Sequence, residues 1–160
     1  MNYSIRKIEP QDNVATAAMI RQVFEEHGAE KKGTVYSDPN TDRLFELFEE
    51  EEQSVFYVAF RGNQILGSCG IFPTPGLPVA CAELVKFYLA EEARGLGIGR
   101  ALMEKSIETA KEMGYQQIYI ESLPIFKKAV RIYEKQGFQK LKAPLSTEHP
   151  GCNLWFLKDL

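Results

Sequence analysis

The chain has 160 residues, 44% of them hydrophobic and 26% charged, a length that suits one compact domain able to bury a sizeable share of its surface. A net charge of -3 and a pI near 5.5 exclude the basic face of a nucleic-acid binder, leaving a small partner. The three cysteines, Cys69, Cys81 and Cys152, form no C-x-x-C pair and point to reduced thiols in the cytoplasm, while Met1 to Lys7 lacks the apolar core of a signal peptide and no apolar run is long enough to anchor in a membrane.

In chain order, Tyr3 to Ile8 reads as an edge strand ended by Pro10, after which Asp12 or Asn13 can cap a helix carrying Val14, Ala17, Ala18, Arg21 and Val23–Phe24 at helical spacing. Gly28 and Gly33 break it, and Asp38 to Thr41 can cap a second helix bearing Leu44, Leu47 and Phe48, which ends in the acidic run Glu49 to Glu52. Val55 to Arg61 and Gln64 to Phe72 form an antiparallel pair across the Gly62-Asn63 turn. The proline-rich loop from Pro73 to Pro78 delivers the chain to a strand over Val79 to Leu89. A helix follows from Ile98 to about Gly114, then a strand over Gln117 to Glu121. Pro124 opens a last helix running to Gln136 with Gly137 as its C-cap, and Phe138 to Lys142 and Asn153 to Lys158 close the chain as strands. The order β-α-α-β-β-β-α-β-α-β-β describes one mixed α/β layer structure.

The most informative stretch is Arg94-Gly95-Leu96-Gly97-Ile98-Gly99-Arg100, which lies between a strand and an amphipathic helix. Three glycines in five residues let the main chain approach a ligand closely, and the helix that follows offers free N–H groups and the positive end of its dipole to an anion such as a pyrophosphate. The spacing is not that of a dinucleotide fingerprint, because the last glycine position falls on Arg100 or Leu102. Nor is it a P-loop, for the chain contains no Gly-Lys-Ser or Gly-Lys-Thr.

The pattern R-x-x-G-x-G at residues 94 to 99 resembles the acyl-coenzyme A loop of the GNAT superfamily of N-acetyltransferases. The resemblance spans roughly residues 80 to 141. It includes Ala129 to Phe138, which fits A-x-x-[LI]-Y-x-x-x-G-F one helix and one strand downstream, and Glu83, which stands eleven residues before Arg94 where one branch of the family keeps a catalytic carboxylate. The family fold so implied is a mixed, mostly antiparallel sheet of about seven strands with about four helices. Two positions depart from the pattern: Phe126 replaces a frequent asparagine that contacts the cofactor arm, and Glu91 replaces a frequent proline.

The resemblance implies acetyl-CoA as cofactor, a primary amine of a small molecule or peptide as acceptor, and direct attack in a ternary complex. Such a reaction requires the amine, protonated near neutral pH, to lose a proton. Glu83 is the candidate base, or else a strand-end glutamate in solvent. Lys86, three residues along, falls on the opposite strand face by simple alternation and offers no local ion pair. Tyr133 matches the tyrosine that returns a proton to the leaving thiolate in many members, and otherwise is a helix tyrosine packed on the sheet. By resemblance, main-chain amides around Phe87, Tyr88 and Leu89 hold the pantetheine arm and the thioester oxygen, and Arg94, Gly95, Leu96, Gly97, Ile98 and Gly99 hold the pyrophosphate. Arg100 faces either phosphate or solvent.

Family members wall the acceptor pocket with segments that here include Tyr36, Asp38, Arg43 and Ala143 to Asn153, and these match no specificity pattern. Peptide termini, amino acids, polyamines and aminoglycosides all remain as acceptors. A catalytically silent acyl-CoA sensor and a plain nucleotide-binding domain are the rival readings. His149 and Cys152 are too few for a zinc site, so no metal is expected. The apolar strand Leu154 to Leu157 can pair across a homodimer.

Overall fold

The computed structural model describes residues 2–146 and 151–160, so His149 and part of the Ala143 to Asn153 segment lie outside the described residues. Its elements are β1 (Ser4–Lys7), α1 (Asn13–Glu26), α2 (Leu44–Glu50), β2 (Val55–Arg61), β3 (Gln64–Phe72), β4 (Cys81–Leu89), α3 (Ile98–Glu112), β5 (Gln117–Ser122), α4 (Lys127–Lys135), β6 (Gln139–Lys140) and β7 (Leu154–Asp159). The order is the one expected from the sequence. The strands form one mixed seven-stranded sheet, β1-β2-β3-β4-β5-β7-β6, in which only β4 and β5 run parallel.

Both faces of the sheet are covered. Ile98, Leu102, Met103, Ile107 and Ala110 of α3 pack on Leu66, Ala82, Leu84 and Ile118, and α4 adds Tyr133 to this core. On the other face, Ile20, Val23 and Phe24 of α1 and Leu44 and Phe48 of α2 cover Phe56, Val58 and Ile65. Burying both faces explains why β2 to β5 read as nearly continuous apolar runs rather than alternating ones.

Tertiary contacts alter four local expectations. Asp12 holds the N-cap position of α1 but its side chain makes no capping bond there. The Asp12 carboxylate instead accepts from the Glu9 amide at 2.8 Å and Arg6 Nη1 at 2.6 Å, and Asn13 Oδ1 accepts from the Phe45 amide at 2.9 Å, fastening the start of α2. The last helix begins at Lys127, because Leu123–Phe126 form a turn (Phe126 N–H to Leu123 O, 3.1 Å) that sends the Phe126 ring against Phe24 and His27. β7 is interior, paired along its length with β5 and at Phe156 and Leu157 with β6, so the strand expected to offer a dimer edge has both edges engaged within the chain.

The fourth difference lies in β4. Gly70 faces Val85 and Ser68 faces Tyr88, so Lys86 and Phe87 together oppose Cys69 in a β-bulge, with Lys86 at φ 54°. The extra residue reverses the alternation: Leu84 before it and Phe87 and Leu89 after it all join the α3 side. Leu102, fully buried at the centre of that side, tests how much this core contributes. Leu102→Ala should lower the unfolding free energy in a urea titration by about 3 kcal/mol through lost burial and the cavity left behind; a loss below about 1 kcal/mol would mean that the helix repacks freely.

Candidate active site

The β4–β5 ladder ends after Cys81↔Gln117, Ala82↔Ile118 and Glu83↔Tyr119, yet β4 continues to Leu89 and β5 to Ser122. Past this point the strands separate. The cleft between them opens into a cavity of about 460 Å³ whose walls are Glu83 to Leu89 of β4, Glu121 and Ser122 of β5, the end of α1 and the start of α4. Main-chain groups of β4 that would have met β5 therefore line a free strand edge, a surface onto which an extended ligand can add as another strand.

The glycine stretch stands at the far end of β4. Gly95 and Gly97 have φ of 77° and 81°, in the left-handed region that side chains disfavour. Gly99 is required for a different reason: a Cβ there would lie 2.9 Å from Leu89 Cδ1 and 3.2 Å from Ile132 Cδ1, so its absence lets α3 start close against β4. No side chain among the described residues caps α3, which leaves its first amides and its positive dipole end available to an anion.

The remaining residues of this stretch divide their work. Arg94 Nη2 donates to the Leu89 carbonyl at 3.1 Å and pairs with Glu26 at 2.9 Å, so its guanidinium ties the loop to β4 and α1 at the rim of the cavity. Ile98 is fully buried and can offer a ligand only its main chain, whereas Leu96 is about half exposed. Arg100 projects outward and pairs with Glu104 at 2.8 Å. Lys127 and Lys128 add positive charge to the wall, although a helix start normally favours anionic side chains.

Glu83 is 2% exposed, lines the cavity and accepts a 2.6 Å hydrogen bond from Thr74 Oγ1, which the proline-rich loop brings across from before β4. It is not the solvated strand-end glutamate that was its alternative. Tyr133 projects from α4 into the same cavity at 4% exposure, ringed by Phe87, Phe138 and Phe156. Burial pushes its phenol well above the ordinary range, against the opposite pull of a hydrogen bond with Ser122, so the hydroxyl keeps its proton at neutral pH.

Besides Lys127 and Lys128, four residues at or against the cavity escaped the sequence reading. Thr74 and Ser122 carry no local signal, since only folding places them against Glu83 and Tyr133. Lys86 was assigned to the opposite face from Glu83, but the bulge keeps it beside the cavity, and its ammonium feels the charges of Asp38 and Glu83. Glu121, bonded through Oε2 to the Tyr119 hydroxyl at 2.6 Å, brings a second carboxylate to the wall. Of the expected acceptor-side residues, Asp38 acts on Lys86 as noted, Tyr36 donates to Glu25 at 2.7 Å and Arg43 pairs with Glu50 at 3.0 Å.

Cys152 also borders the cavity, and burial next to Glu121 and Glu83 pushes its thiol up to about 12. A thiol held so high is a poor nucleophile. Among the described residues no group of three or more histidine, cysteine or acidic side chains could hold a metal ion, and no helix is long and apolar enough to cross a membrane.

Comparisons with known proteins agree with this geometry. Residues 20–138 match the Acetyltransferase (GNAT) family. The chain is 34% identical over 158 residues to the uncharacterized N-acetyltransferase YjgM of Escherichia coli, a match covering 98% of this chain and 94% of that protein. It is 35% identical over 89 residues to N-acetyltransferase 8B of Rattus norvegicus, covering 54% of this chain and only 40% of that longer protein. In fold it resembles a GNAT-family acetyltransferase from Staphylococcus aureus (TM-score 0.85, 19% identity, 99% of both chains) and the PaiA N-acetyltransferase of Thermoplasma acidophilum, solved in complex with coenzyme A (TM-score 0.80, 18% identity, 100% of both). With a separated β4–β5 pair, a glycine turn beyond it and a family match over most of its length, this chain belongs to the GNAT acetyltransferase family.

Proposed function

We propose that residues 1–160 form one N-acetyltransferase unit that moves an acetyl group from acetyl-CoA to a primary amine by direct attack in a ternary complex, and that it works in the cytoplasm. One observation carries this reading: a buried carboxylate, Glu83, and a buried protonated phenol, Tyr133, line the same cleft, whose mouth is the glycine turn. A base and an acid on either side of a slot for an extended ligand are what amine acylation by a thioester needs.

The residues present fit the coenzyme. The amides from Gly95 to Gly99, together with Lys127 and Lys128, suit a pyrophosphate, with Arg94 as both brace and rim charge, while Arg100 would have to leave Glu104 to reach it. The free edge of β4 at Phe87, Tyr88 and Leu89 suits the pantetheine amides. When bound, acetyl-CoA supplies the activated acetyl group. Glu83, held by Thr74, accepts the proton of the acceptor ammonium directly or through water; Tyr133, held by Ser122, donates its proton toward the leaving sulfur. Main-chain N–H groups beside the bulge would serve the thioester oxygen as charge develops there. Cys152 takes no covalent part, because its thiol stays protonated.

A thermal-shift comparison checks the cofactor. Coenzyme A in excess should raise the melting temperature by several degrees while ATP and NAD leave it unchanged; protection by ATP or NAD alone would assign the turn to a nucleotide. Tyr133→Phe should reduce kcat at least tenfold, followed by thiol release over a broad amine panel, with coenzyme affinity retained. Unchanged turnover would remove the acid role.

Glu83→Gln should slow the reaction most at neutral pH and progressively less toward pH 10, because free amine accumulates as pH approaches its reference value of about 10 and the missing base matters less. A loss that stays level across that range would leave Glu83 a purely structural residue.

A further inference from the structure

Lys86 places a charge within the β4 bulge. It is 9% exposed, on an interior strand, and adopts φ 54°, a conformation unfavourable for a non-glycine residue. Its carbonyl is engaged, accepting from Ser68 Oγ at 2.7 Å, but its side chain is not. Among the described residues, none places an acceptor within hydrogen-bond or salt-bridge distance of Nζ, although Asp38 and Glu83 act on it at longer range. An ammonium carries three donors, and burying it without partners is unfavourable. Burial accordingly depresses its pKa, against the upward pull of the two carboxylates. The side chain borders the cavity, in the same wall as Glu83.

We propose that Lys86 binds the carboxylate of the acceptor, so that the acceptor is a zwitterion of the α-amino-acid type, its amine facing Glu83 and its carboxylate facing Lys86. This rests on the acetyltransferase reading and narrows it. Three features select this class. The bulge sets one cation and one carboxylate on the same wall three residues apart, so the two opposite charges of one ligand can each meet a partner there. Lys86 is the single buried cation among the described residues of the cavity wall, and one positive charge suits a singly charged carboxylate better than a phosphate dianion. A polyamine or aminoglycoside would set further cations against a buried ammonium, an unfavourable like-charge contact.

Calorimetry tests this without turnover. The protein saturated with coenzyme A is titrated with matched ligands: N-acetyl-alanine, N-acetyl-leucine and N-acetyl-phenylalanine, and the three acetamides that lack only the carboxylate. At least one acid should bind tenfold or more tightly than its partner. Lys86→Met should collapse that gap to less than twofold with coenzyme affinity unchanged, and Lys86→Arg should retain most of it. The proposal is overturned if no acid is preferred by the native protein, a result independent of how the variants fold, or if the gap survives in Lys86→Met. Failure of the acetyltransferase reading looks different: coenzyme A would not bind in the first titration, or thiol release would be absent with every amine.

Discussion

The parting of β4 from β5 after Glu83 and Tyr119 is the constraint on which the rest of the site depends. Parallel strands in the middle of a sheet normally stay paired, since unpaired amides and carbonyls inside a protein are unfavourable. Here the bulge at Lys86–Phe87 re-aims β4 three residues past the last pair, and the tip of α4 and the end of α1 border the opening. A cleft with one free strand edge follows directly. The same bulge sends Phe87 and Leu89 into the α3 core, so the strand remains anchored on one face while its edge is left free for a ligand.

Electrostatics then differentiates the cleft along its length. Toward the glycine turn the wall gathers main-chain amides, a helix dipole and the cations Arg94, Lys127 and Lys128. Toward Glu83 it becomes acidic, with Glu121 and Asp38 acting in the same region and Lys86 as the single buried cation there among the described residues. Tyr133 lies in an aromatic setting that keeps it protonated. Such a gradient suits a ligand with an anionic tail and a neutral arm, and a second ligand whose amine must lose a proton.

Arg94 couples these parts mechanically. Its contacts to the Leu89 carbonyl and Glu26 join the end of β4, the glycine turn and α1, the helix that supplies Val23, Phe24 and His27 to the cavity border. Phe126 completes this wall through ring contacts with Phe24, His27 and Tyr88.

Local sequence was sufficient for whatever depends on local physics. Apolar periodicity and turn chemistry specified every strand and helix in order, the Gly62-Asn63 hairpin formed as its residues require, and Gly95 and Gly97 of the glycine turn adopt the left-handed conformation open to glycine. Glu83 stood out as a charge within an apolar strand and Tyr133 within its motif, and both reach one cavity. Tertiary structure alone decided the partners that orient them, Thr74 and Ser122, because those contacts join segments whose meeting no periodicity encodes. It also decided the place of Lys86. Strict alternation assigns that side chain to the other face, and only the mismatch in register between β3 and β4, a property of two strands pairing rather than of either one, turns it toward the cleft.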